Sequence, residues 1–173
     1  MAREFFTFVL PLYAPDLLVL AAVYLLLLRG WKREGGRRMA VHTVFWVYLL
    51  GVLWVTVLPV LSLWGVHHPY VPMNMEPFRD LKAGYGNAAR QLALNVVMTV
   101  PFGVLWPVAR RGRAGVFRTV GAAFLLSLCI ELVQPLLPTA RTSDVTDLIC
   151  NTAGGLVGYA LYRPWKKALT RWM

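Results

Sequence analysis

The chain has 173 residues, of which 58% are hydrophobic and only 15% charged, with a mean hydropathy of +0.55. A soluble domain carries about a quarter charged residues, so that class is excluded. The formal net charge of +10 would suit a nucleic-acid binder if it were pooled on one face, but it falls in blocks between apolar runs, and no nucleic-acid partner is expected.

A helix needs about 20 apolar residues to cross a bilayer. Five runs approach or exceed that length, at about 5–28, 42–64, 91–109, 116–137 and 145–162. Little chain is left over, so residues 1–173 are expected to form a single integral membrane domain, an all-α polytopic helical bundle. Basic residues fill three connections: Arg29, Lys32, Arg33, Arg37 and Arg38 after the first run, Arg110, Arg111, Arg113 and Arg118 after the third, and Arg163, Lys166, Lys167 and Arg171 after the fifth. Every acid except Glu34 lies elsewhere. The positive-inside rule then gives about five transmembrane helices, N-terminus out and C-terminus in, with basic patches that would also suit anionic lipid.

The first run is too long for a usual secretory signal, is interrupted by Pro11, Pro15 and Asp16, and precedes a basic loop rather than a small-residue cleavage site, so it is expected to stay as an anchor. Asp16 either pairs with an arginine of a polar site or faces water from a tilted helix. The second run is rich in aromatic residues, and Trp31 and Trp64 are expected at the membrane interfaces. Residues 65–90 hold too many prolines and glycines for one regular helix. Val71, Met73, Met75 and Phe78 make them too apolar for a solvated loop, so this segment should lie on the membrane or fold back into the bundle. His67 and His68 are adjacent, face different ways on a helix and have no third ligand at a recognisable spacing, so they read as interfacial residues.

The third run opens with Gln91 and Asn95 at i, i+4 and meets Pro101-Phe102-Gly103, where a kink or break is expected. Such a bend either exposes carbonyl groups beside a polar pocket or serves packing alone. Cys129 and Cys150 fall within apolar runs and read as core residues. Gly154 and Gly158 in the fifth run form a small-residue face for close helix approach, expected within the monomer.

The densest polar sequence is Glu131, Gln134, Arg141, Asp144, Asp147 and Asn151 at the junction of two apolar runs. An ionisable group at membrane depth costs roughly 2.5–3.5 kcal/mol and by default suggests a functional site. Glu131 and Gln134 stand at i, i+3, and Asp144, Asp147 and Asn151 at i, i+3, i+7, so a hairpin of the two runs would turn both faces into one pocket. The expected topology places these residues, with Asn74, Glu76 and Asn95, at the outer end. Asp144 alone would satisfy a helix cap; Asp147 and Asn151, deeper in the helix, exceed that need. Glu131 is the candidate general base, with Asp147 as its companion. Arg141 would hold an anionic group, and Asn74, Asn95, Gln134, Asp144 and Asn151 would bind. A divalent cation, if one is used, would take Glu131, Asp147 and Asn151 as ligands.

The ordered series Asn74-x-x-Pro77-Phe78, Gln91-x-x-x-Asn95, Pro101-Phe102-Gly103, Ser127-x-x-x-Glu131-x-x-Gln134, Arg141-x-x-Asp144-x-x-Asp147 and Asn151-Thr152-x-Gly154-Gly155 resembles the VanZ-like family of bacterial membrane proteins over about residues 71–162. Glu76 departs from that pattern, in which an apolar residue usually precedes the Pro-Phe pair. The resemblance implies a multi-pass protein of the bacterial cytoplasmic membrane, in a family named for a glycopeptide-resistance gene cluster whose founding member raises resistance to teicoplanin. It implies no settled reaction. The expected partner is a membrane lipid, such as a cell-wall lipid precursor, or a lipoglycopeptide, whose polar or phosphorylated headgroup the site would bind or modify. Two alternatives stand beside this. One is a small-solute or ion-coupled transporter using Glu131 and Asp147 as proton or cation sites, against which a one-sided site without an inverted repeat counts. The other is a structural membrane partner whose charged cluster locks a hairpin.

Overall fold

The structure is a computed structural model, and it describes residues 10–138 and 142–172. Its helices are α1 (Leu10–Lys32), α2 (Gly36–Thr56), the short α3 (Arg79–Lys82), α4 (Ala88–Ala109), α5 (Val116–Val133), α6 (Val145–Tyr162) and α7 (Lys166–Trp172). A 3-10 turn, Gln134–Leu136, extends α5, and another, Arg163–Trp165, joins α6 to α7. Among the described residues there is no strand, only an isolated parallel bridge between Asn74 and Asp144. The expected all-α polytopic membrane bundle is therefore what the chain forms.

Four helical segments are long and apolar enough to cross a membrane: Pro11–Lys32, Gly36–Thr56, Ala88–Ala109 and Val116–Leu136. The fifth expected span forms as α6 but falls outside that set. Asp147, Asn151, three glycines and two threonines dilute its apolar character. It tolerates them because it is sandwiched against α4 and α5, parallel to the first and antiparallel to the second, and its polar groups meet protein rather than lipid.

Glycine makes that sandwich possible. A Cβ at Gly154 would overlap the Val96 carbonyl and Thr99 Oγ1, one at Gly158 the Val100 carbonyl, and one at Gly103 the Gly155 carbonyl. The small-residue face thus serves packing within the monomer, as its spacing suggested. The helix containing Pro101 runs unbroken from Ala88 to Ala109, with Gly103 at the α6 contact, which favours the packing reading of that motif over exposed carbonyls. Tyr48 of α2 donates to the Met98 carbonyl at 2.9 Å and ties α2 to the same helix. Val52, Val57, Ile130 and Leu137 bury one another where α2 and α5 meet.

The second helix starts and stops earlier than its hydropathy suggested. It includes Arg37 and Arg38 and ends at Thr56, because Pro59 lacks an N–H and disfavours helical backbone at Leu58. The Asp16 carboxylate then accepts the N–H groups of Val60 and Leu61 at 3.1–3.2 Å. Asp16 is buried, neither water-facing nor paired with an arginine among the described residues; it anchors the α2 exit to α1. The basic connections meet at the opposite end of the bundle: Arg111 and Arg38 approach Glu34, and Arg37 donates to the Trp172 carbonyl at 3.0 Å.

Gly158→Ala is expected to destabilise the bundle by about 1–3 kcal/mol through overpacking against α4. Gly121→Ala, whose Cβ meets nothing within 4 Å, should not. Melting temperatures of the two detergent-purified variants check this; equal values would refute the α4–α6 contact.

Candidate functional site

The end of α5 places Glu131 inside the protein, 1% exposed. Its Oε2 accepts the Asp144 N–H at 2.9 Å, and its backbone carbonyl accepts the Ser143 hydroxyl at 2.8 Å. Asp144 is extended, at φ −140° and ψ 130°, and caps α6 through the Thr146 N–H at 2.6 Å. It therefore stands outside the helix and does not share the face of Asp147 and Asn151 that the spacing suggested. Its other oxygen accepts Asn74 Nδ2 at 2.8 Å. Asn74 also donates its N–H to the Ser143 carbonyl and accepts the Val145 N–H, both at 2.9 Å. The Phe78 N–H, at a residue with left-handed φ of 59°, reaches Thr146 Oγ1 at 2.9 Å. The 65–90 segment thus folds back on the bundle through Asn74 and Phe78. Thr146 gave no signal in the sequence beyond its place in the first turn of α6.

Beside this strap lies a cavity of about 360 Å³ between α2, α4, α5 and α6. It brings together Asn95, Glu131, Gln134, Asp147 and Asn151, with Gln91 at the edge. Asn95 Nδ2 donates to Asp147 Oδ1 at 2.5 Å, Asn151 Nδ2 to Ser127 Oγ at 2.9 Å, and Gln134 Nε2 to the Thr56 carbonyl at 3.3 Å. Gln134 Oε1 and Asn151 Oδ1 are buried with no partner among the described residues. A buried unpaired acceptor costs about 1–3 kcal/mol, so each suits a donor brought by a ligand or water. Val55, Leu94, Gln91 and Thr142 are exposed at the rim, so the cavity is not sealed.

Of the residues singled out from sequence, Asn74 and Asp144 join the strap and do not line this cavity. Arg141 lies outside the described residues. Glu76 is exposed, 3.6 Å from Lys82 Nζ, and does not line the cavity. Ser127 was visible only as part of a motif; standing one turn before Glu131, it proves to orient Asn151. His68 lines an adjoining cavity of about 320 Å³ that shares Gln134 and Thr142, whereas His67 lines neither. Among the described residues, no group of three or more His, Cys, Asp or Glu side chains is arranged to hold a metal ion. A divalent cation would have to draw on Glu131, Asp147 and the free oxygen of Asn151.

Residues 45–168 match the family model described as VanZ/LLP1, a span that contains every described residue lining the cavity. The chain belongs to the VanZ family. It is similar to Protein VanZ of Enterococcus faecium, 31% identical over 120 residues that cover 67% of this chain and 69% of that protein. The match reaches back into α2, beyond the motif-bearing region apparent from sequence. No solved structure matches the chain.

In this VanZ-family protein Asn74→Ala and Asp144→Ala should be coupled by about 0.5–3 kcal/mol in a double-mutant stability cycle, since they share one hydrogen bond and one bridge. Strictly additive losses would mean that the strap does not hold the α6 start.

Proposed function

We propose that this VanZ-family protein binds, or chemically alters, the polar headgroup of an envelope lipid or lipoglycopeptide at the outer face of the bacterial cytoplasmic membrane, and thereby changes susceptibility to teicoplanin. The observation that carries this reading is the unsealed cavity on which two carboxyl groups and three carboxamides converge. Carboxylates accept and carboxamides both accept and donate, so such a lining suits hydroxyl and amine groups of a sugar-bearing headgroup. Arg141, three residues before Asp144, would add the cation that a phosphate needs. Glu131, with one oxygen held by the Asp144 N–H, has the other available to take a proton from a bound hydroxyl or water.

Two further observations support the lipid side of the proposal. Exposed Val55 and Leu94 flank the rim, so an acyl chain could remain in the bilayer while the headgroup enters. The basic connections gather at the opposite end, and the positive-inside rule then favours an outward-facing cavity. VanZ-family membership supports the link to the cell envelope. The strap of Asn74, Asp144 and Glu131 favours a partly structural role for those side chains, and the test separates the two.

The test is teicoplanin and vancomycin susceptibility of a sensitive Gram-positive host carrying the wild type, Glu131→Gln, Arg141→Ala or Asp147→Asn, at matched membrane levels. The wild type should raise the inhibitory concentration of teicoplanin. Loss of one charge-assisted contact at Asp147 should weaken ligand affinity by on the order of tenfold and remove most of that protection. Folded variants that protect as well as the wild type would make the cluster structural, and a wild type equal to empty vector would sink the resistance role in that host.

A further inference from the structure

A separate cavity of about 390 Å³ lies at the basic end, where α4 turns into α5. Of the four arginines near this connection, Arg111 turns away toward Glu34, at 3.8 Å. The other three, Arg110, Arg113 and Arg118, line the cavity, and among the described residues none of them forms an ion pair. Arg110 Cζ sits 5.7 Å from the ring centroid of Trp106, which forms part of the wall. A cation held against an aromatic face keeps its N–H edges directed outward for an anion.

The backbone adds to this positive field. Helix α5 has 18 residues, begins after Gly115 with no side-chain cap, and has no acid in its first turn. Its leading N–H groups and dipole therefore remain available to an anion beside Arg113 and Arg118. The wall below is apolar. Gly121 leaves its Cβ position empty to beyond 4 Å, and Leu125, one turn further, is 58% exposed on the lipid-facing side. Phe117, in the first turn of α5, is 89% exposed, a placement that suits the membrane interface.

A general excess of basic charge at a membrane surface requires neither a cavity nor an apolar face continuing from it. We propose that the α4–α5 turn is a binding site for an anionic phospholipid, with its phosphate between Arg110, Arg113 and Arg118 and an acyl chain along the Gly121–Leu125 face. This site is at the opposite end of the bundle from the Glu131 cavity and does not depend on that cavity's function.

The test uses the full chain in nanodiscs of equal phosphatidylglycerol and phosphatidylcholine, extracted mildly and weighed by native mass spectrometry for retained lipid. The wild type should retain phosphatidylglycerol preferentially. Arg113→Gln/Arg118→Gln should lower that retention by on the order of tenfold, and Gly121→Leu, which fills the space over that apolar face without changing charge, should lower it as well. Arg29→Gln/Arg33→Gln, an equal loss of charge elsewhere, should leave it unchanged. Equal losses in the two charge doubles would overturn the proposal in favour of diffuse surface charge. Full retention by Gly121→Leu, or displacement of phosphatidylglycerol by millimolar glycerol phosphate, would overturn it in favour of a free-phosphate site. If the arginine double does not fold, Gly121→Leu decides alone.

Discussion

The hydrogen bond from the Asp144 N–H to the buried Glu131 carboxylate is the constraint on which the rest of the molecule depends. A carboxyl group at this depth is costly unless hydrogen bonds or a charge partner satisfy it. The chain meets the requirement by bringing residues 143 and 144 back against the end of α5, and this fixes where α6 begins. Once α6 starts there, Asn151 falls opposite Ser127, Asp147 opposite Asn95, and the glycine face falls on α4. The polar site and the tightest helix packing are consequences of one local placement.

The same placement explains why the polar cluster divides into two groups with different duties. Asn74 and Asp144 spend their hydrogen-bonding capacity on each other and on the backbone of the α6 start. Asn95, Asp147, Gln134 and Asn151 each make one side-chain hydrogen bond to protein and line the cavity. A residue whose capacity is consumed by the fold has little left for a ligand. Burial alone would not have separated the groups, since Glu131 belongs to both.

The two ends of the bundle differ in chemistry. One gathers acids and amides around a cavity; the other gathers arginines and lysines from three connections, with Glu34 as a shared acid between α2 and the α4–α5 turn. Such separation orients a protein in a bilayer, and under the two proposals above each end would address a different ligand. The acidic end suits hydroxyl and amine groups, and the basic end suits phosphate.

Much of this was legible in sequence because it depends on local physics. Helix positions follow from hydropathy, the capping role of Asp144 from its place before an apolar run, and the close-packing face from Gly154 and Gly158 at i, i+4. The VanZ resemblance followed from ordered short motifs, each confined to a few residues. What the sequence left open depends on long-range contacts. Asp16 finds backbone donors 44 and 45 residues away, and Asn74 finds Asp144 across 70 residues. The chain leaving α2 and the α5–α6 connection are both held where those distant groups capture them. Spacing along one helix shows which side chains share a face, but only the packed bundle decides whether that face meets lipid, a neighbouring backbone or an open cavity. For that reason the sequence determined the helices, the membrane class and the residues rich in chemistry, and the tertiary structure alone decided which of those residues hold the fold and which remain available to bind.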